Sequence, residues 1–222
     1  MLERVVKNAA VEVAGFKTAL GEMRDDFPAA ITRMDSRLID RLDGFMVGTL
    51  EPRKNISGLL AAYSRLPEKT QGEHPLAVVG MKGWLSDAPE RQLEPLERRG
   101  RVRRLGYVAH EDLPFVYAGA HAFAFPSFYE GFGLPPLEAM ACGVPVLISN
   151  RSSLPEVAGD AALQVDPEDV EAMTRGLARL LGDEGFRARA VRAGPERAAG
   201  FTWERCVDRT VDVYRRVLAG TI

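Results

Sequence analysis

Cysteine and histidine are scarce in this chain, with Cys142 and Cys206 the only cysteines and His74, His110 and His121 the only histidines. Two cysteines far apart in sequence make no disulfide framework; they suit thiols in a reducing compartment. The three histidines suggest neither a metal cluster nor a Ser-His-Asp arrangement. No apolar run approaches the roughly 20 residues that cross a bilayer, and Met1-Leu2-Glu3-Arg4 lacks the apolar core of a signal peptide. Charge of neither sign dominates: Lys plus Arg number 29 and Asp plus Glu 31, so nothing favours nucleic acid as a partner. These absences leave the expectation of a soluble, cytoplasmic protein, with peripheral contact at the inner membrane left open.

What is present is the composition of a folded domain. Hydrophobic residues make up 46% of the 222 positions and charged residues 27%, enough to bury a core without disulfides or metals. Residues 1–43 are the least patterned: Leu2, Val5, Val6, Ala9 and Val13 suggest a helix that Gly15 and Gly21 interrupt, and the stretch reads as an arm or linker. From Gly44 a regular rhythm sets in. Short runs near residues 45–49, 76–80, 122–125, 144–148 and 161–165, mostly apolar, read as strands, as does Arg101-Val102-Arg103-Arg104-Leu105-Gly106 with its glycine stop. Helices are expected between them and over 170–181, 184–199 and 204–218, with Pro89 and Pro95 counting against a helix over 87–98.

Strands alternating with helices need crossover connections. The expected fold is therefore α/β, a Rossmann-like, mostly parallel sheet with helices on both faces, spanning 44–200. A last helix in 201–222 carries Trp203, Val207, Val211, Tyr214 and Leu218 along one stripe, to pack on the domain or on a partner. In such a sheet ligands lie beyond the C-terminal strand ends.

Three segments fall there. Gly48-Thr49-Leu50-Glu51-Pro52-Arg53-Lys54-Asn55 joins a strand to a helix, and Arg53 and Lys54 suit a diphosphate: the first offers paired donors, the second a mobile charge. For an arbitrary Arg-Lys pair two exposed cations would be the better reading, but cations in the first turn of a helix oppose its dipole, which favours a compensating ligand or acidic partner. Glu130-Gly131-Phe132-Gly133-Leu134-Pro135-Pro136-Leu137-Glu138 offers glycines for a tight turn against a ligand, prolines that launch a helix, and two carboxylates that could reach different parts of one ligand. Structural roles stay open for both, Glu130 as a solvated loop residue and Glu138 as a carboxylate favoured by the helix dipole. Tyr107 and Val108, after a strand, could flank a nucleobase, while His110 and Asp112 read as caps of the next helix.

These residues resemble glycosyltransferase family four, also called group one. The likeness rests on the segment ending in Arg53-Lys54-Asn55 and on residues 128–146 with both glutamates. It continues through Ser152-Ser153-Leu154-Pro155-Glu156 to Phe201-Thr202-Trp203-Glu204. The resemblance implies one half of a two-domain GT-B enzyme, the C-terminal, donor-binding half, working in polysaccharide biosynthesis. It implies a retaining hexosyltransferase that uses a GDP- or UDP-hexose and a glycan or lipid-linked acceptor, with no metal and no cofactor. Arg53, Lys54 and Glu130 become the catalytic candidates, the cations on the diphosphate and Glu130 facing the sugar. Gly48, Tyr107, Val108, Gly131, Phe132, Gly133, Leu134 and Glu138 become donor-binding candidates, with Glu138 on the ribose.

Members of that family carry an N-terminal domain that residues 1–43 are too short to supply. The chain is then expected to be an excised piece, a truncated product or one subunit of a split enzyme, incomplete by itself. The alternative function is a noncatalytic sugar-nucleotide-binding or assembly module. An epimerase lacks its acid/base set here, and a dehydrogenase would carry its glycine turn after the first strand.

Overall fold

The computed structural model describes residues 44–47, 50–81, 83, 87–219 and 221, the first four by backbone alone. The arm expected over 1–43 and the candidate Gly48 lie outside the described residues.

Each remaining strand expectation is met within a residue or two. The strands are β1 (Gly44–Val47), β2 (Leu76–Val79), β3 (Val102–Gly106), β4 (Phe123–Phe125), β5 (Val146–Ser149) and β6 (Leu163–Val165). They form one sheet in the order β3-β2-β1-β4-β5-β6, and every neighbouring pair is parallel. The helices are α1 (Ile56–Ser64), α2 (Glu68–Glu73), α3 (Asp87–Arg98), α4 (Leu113–Gly119), α5 (Leu134–Ala141), α6 (Leu154–Ala158), α7 (Val170–Gly182), α8 (Glu184–Ala199) and α9 (Trp203–Leu218).

Strand side chains alternate between two cores. Leu76, Val78, Ala124 and Leu147 enter one core, with Leu59 and Leu60 of α1, Leu93 of α3, and Met173 and Leu177 of α7. Ala77, Val79, Phe123, Phe125, Val146 and Ile148 enter the other, with Tyr117 of α4, Ala139 and Met140 of α5, and Ala158 of α6. Burial on both faces is why β2, β4 and β5 read as unbroken apolar runs, whereas the edge strands β3 and β6 carry Arg103, Arg104 and Gln164 and are only partly buried.

Helix α3 forms despite its prolines. Pro89 stands in the first turn, where an N–H has no partner to lose, whereas Pro95 interrupts the ladder of a helix that buries Leu93 and Leu96. Two helices carry no apolar period and escape sequence reading. In α2 only Gln71 is buried, held where Tyr63 Oη donates to Gln71 O at 3.0 Å and Gln71 Nε2 donates to Leu66 O at 2.7 Å. The other, α6, is a single short turn. The capping expectation for Asp112 fails: its side chain makes no cap bond to α4, and its carbonyl instead accepts the N–H groups of Phe115 and Val116.

Candidate functional site

The chain runs from β1 outward to β2 and β3, then returns to lay β4 on the other side of β1. That reversal opens a crevice beyond the ends of β1 and β4. The segments after these two strands carry Arg53, Lys54 and Glu130, so topology alone brings together residues remote in sequence.

Arg53 and Lys54 sit in a separate 3-10 turn, Pro52–Lys54, not in the first turn of α1. Asn55 divides the two elements in a left-handed conformation (φ 54°, ψ 39°), which asparagine tolerates better than most residues. Its buried side chain donates from Nδ2 to Pro167 O at 2.7 Å, fastening the turn to the loop after β6. The Phe128 N–H donates to Arg53 O at 2.9 Å, joining the two segments by their backbones. Arg53 Nη1 then lies 2.7 Å from one Glu130 oxygen and Lys54 Nζ 2.7 Å from the other. Arg53 also reaches Glu51 at 3.4 Å and donates to Tyr129 O at 3.1 Å. Lys54 Nζ stands 4.6 Å from the Phe125 ring centroid, over its face.

Glu130 is 9% exposed, so it is not a solvated loop residue. One carboxylate neutralises two cations here and leaves a net positive charge, which Glu51 offsets in part. Arg53 keeps a side-chain exposure of 39%, enough to meet a ligand.

The turn after Glu130 depends on Gly133. Its φ of 107° favours glycine, and a Cβ there would stand 2.6 Å from Leu154 Cδ2. Helix α5 starts directly at Leu134, with no side-chain cap on its first N–H groups. Gly131, Phe132 and Leu134 are exposed around this turn, and Phe132 meets Phe201 edge to face at 5.8 Å. On the opposite side stand two serines of the loop after β5. Ser152 Oγ accepts the Glu130 N–H at 3.0 Å, and the Ser153 hydroxyl lies 3.0 Å from Glu130 O and 2.8 Å from Phe132 O.

Glu138 lies one turn into α5. Tyr117 Oη donates to it at 2.9 Å from the buried face of α4. Burial raises the Glu138 pKa, while the Tyr117 hydrogen bond and the nearby His110 pull it back. Burial together with the Glu138 charge holds the Tyr117 hydroxyl well above its ordinary value and pushes the Cys142 thiol up to about 12. Val108 packs against the same core as Leu137, one residue before Glu138. Tyr107 is 73% exposed and turns away from that core.

The structure thus unites Arg53, Lys54, Glu130 and the Gly131–Gly133 turn, and places Glu138 and Val108 on the adjoining face. Sequence reading missed Asn55, Tyr117, Ser152 and Ser153 as parts of the site. Ser153-Leu154-Pro155-Glu156 has the spacing of a capping box, so its signal points to helix capping, which the side chain does not perform. Among the described residues, no group of three His, Cys, Asp or Glu side chains could hold a metal ion, and no helix is long and apolar enough to cross a membrane.

Comparison with known proteins follows the same lines. The family model for glycosyl transferases group 1 matches residues 40–197. The O-antigen chain mannosyltransferase B of Escherichia coli is 50% identical over 169 residues, covering 76% of this chain and 44% of that protein. The sucrose-phosphate synthase of Thermosynechococcus elongatus superposes with a TM-score of 0.67 at 32% identity, covering 82% of this chain and 47% of the other. The Anabaena protein HepE, solved in complex with UDP and glucose, superposes with a TM-score of 0.71 at 20% identity, over 85% of this chain and 52% of the other, and shares the fold. This chain spans about half the length of each of these three proteins.

Proposed function

The chain belongs to the group 1 glycosyl transferases, and from that membership we propose that residues 44–200 are the donor-binding half of a retaining hexosyltransferase. The longer protein would move a hexose from a nucleoside-diphosphate sugar to a hydroxyl of a glycan or lipid-linked acceptor. The observation that carries this reading is the meeting of Arg53, Lys54 and Glu130 at the sheet's switch point. Two cations in a half-buried crevice suit a diphosphate, and the same charge stabilises that diphosphate as it leaves the sugar and its negative charge grows. Glu130 supplies the charge that compensates the two cations; a donor diphosphate takes over that role and frees the carboxylate for hexose hydroxyls. Glu138, one turn along α5, accepts from the ribose, and Val108 and Tyr107 border the base. Neither a metal nor another cofactor enters this reaction. The mannosyltransferase relative favours mannose as the first sugar to examine, on either GDP or UDP.

Calorimetric titration with GDP, UDP and ADP, and with GDP-mannose and UDP-glucose, tests the assignment. One nucleoside diphosphate should bind, and the double substitution Arg53→Ala, Lys54→Ala should weaken it by at least about tenfold, equivalent to roughly 1.4 kcal/mol. Absence of binding by all of them would sink the proposal. Retention is checked on the longer protein by the anomeric configuration of the product.

A further inference from the structure

Ser153 occupies the residue before α6, where a serine ordinarily caps, yet its side chain makes no cap bond. Its single hydroxyl proton faces two carbonyl oxygens, Glu130 O at 3.0 Å and Phe132 O at 2.8 Å. Cis peptide bonds are absent among the described residues, and across a trans peptide the N–H points opposite to the C=O. Carbonyls that converge on Ser153 therefore send the N–H groups of Gly131 and Gly133 off the far side of the turn. Among the described residues neither of these N–H groups donates to a backbone or side-chain acceptor.

The preceding peptide shows which side that is. The Glu130 N–H points to Ser152 Oγ at 3.0 Å, so the Tyr129 carbonyl of the same peptide points away from the serines, and there it accepts from Arg53 Nη1 at 3.1 Å. Arg53 and the two glycine N–H groups consequently share one side of the loop. Two backbone N–H groups turned to one side beside a guanidinium offer an anion three converging donors.

The serine loop is itself anchored. Arg151 Nη2 lies 3.1 Å from Asp166 and 3.2 Å from Glu168 in the loop after β6. That loop accepts Asn55 Nδ2 at Pro167 O, next to Lys54. The loops after β1, β4, β5 and β6 so form a closed ring of side-chain contacts around the crevice.

We infer that Ser153 is a positioning residue: by gathering the carbonyls of Glu130 and Phe132 it turns the Gly131 and Gly133 N–H groups toward a phosphate held by Arg53. This role rests on the diphosphate site proposed above. It predicts a specific dependence on the hydroxyl. Ser153→Ala should bind inorganic pyrophosphate and the preferred nucleoside diphosphate about tenfold more weakly, whereas Ser153→Thr, which keeps the donor, should stay within about threefold of the parent. Ser153→Cys, of similar volume but a weak donor, should lose nearly as much as alanine, and replaces it if the alanine variant does not fold. Alanine and cysteine variants that bind like the parent would overturn the role, as would equal losses in the threonine and alanine variants. If Arg53→Ala abolishes pyrophosphate binding while Ser153→Ala leaves it intact, the diphosphate site stands and the Ser153 role falls. If the parent chain takes up neither pyrophosphate nor any nucleoside diphosphate, both fall together.

Discussion

Glu130 holds both site cations at 2.7 Å, which puts a carboxylate where the proposed donor diphosphate would bind. Glu130→Gln keeps the shape and removes the charge, so pyrophosphate should titrate several-fold to about tenfold more tightly, while the preference for a nucleotide sugar over the bare nucleotide shrinks. Weaker pyrophosphate binding would show that the carboxylate holds the cations in place instead of competing with a ligand. Glu138 yields a prediction with a pH sign. Burial raises its pKa in the folded chain, so the folded state keeps this proton to higher pH than the unfolded state does. The stability linked to the residue is full below the ordinary carboxylate range, falls as pH rises through the raised folded pKa, and stays lower above it. Glu138→Gln, always neutral and still able to accept from Tyr117, should melt at a higher temperature than the parent near pH 8, with the gap closing near pH 4. A gap that widens toward acid would contradict this account. Both glutamates stood out in the sequence, but not their opposite surroundings, one between two cations and one against a tyrosine hydroxyl. Those depend on neighbours contributed by other strands and helices.

The glycine turn and the helix it launches form the element on which the site depends. Gly133→Ala sets a side chain at φ 107° and drives a Cβ to within 2.6 Å of Leu154; a loss of about 2 kcal/mol or more is expected in urea unfolding. Pyrophosphate binding should weaken with it, and an alanine variant as stable as the parent would mean that the turn relaxes freely. Behind α5 stands α8, where a Cβ on Gly194 would lie 3.0 Å from Met140 O, so the two helices approach through backbone as well as side chains. The long elements were legible because their apolar faces follow a period, as with Leu59, Leu60 and Tyr63 in α1. The short ones were not: α2 buries only a glutamine, and α6 follows a capping pattern whose serine hydroxyl is turned to another loop.

Across the whole molecule, α9 stands apart, with no buried residue. Val207 and Val211 are half-buried, while Tyr214 is 51% and Leu218 88% exposed, so the apolar stripe expected from the sequence is uncovered over its second half. Deleting residues 203–222 should leave the melting temperature within about 2 °C, since little burial is lost. A drop larger than about 5 °C would show that the helix braces the domain. The chain's sequence by itself determined the parallel α/β sheet, because strands buried on both faces and helices buried on one leave periods that do not depend on what they pack against. It also marked Arg53, Lys54, Glu130 and Glu138, because charged groups in the segments that follow strands, with a glycine-proline turn between the two glutamates, are visible locally. Only the tertiary structure decided that Arg53 and Lys54 share one carboxylate, that Asn55 fastens their turn to Pro167, and that Ser153 serves the glycine loop instead of its own helix. Each of those contacts joins loops brought together by the strand order β3-β2-β1-β4-β5-β6, and no local pattern encodes a distance that the sheet creates.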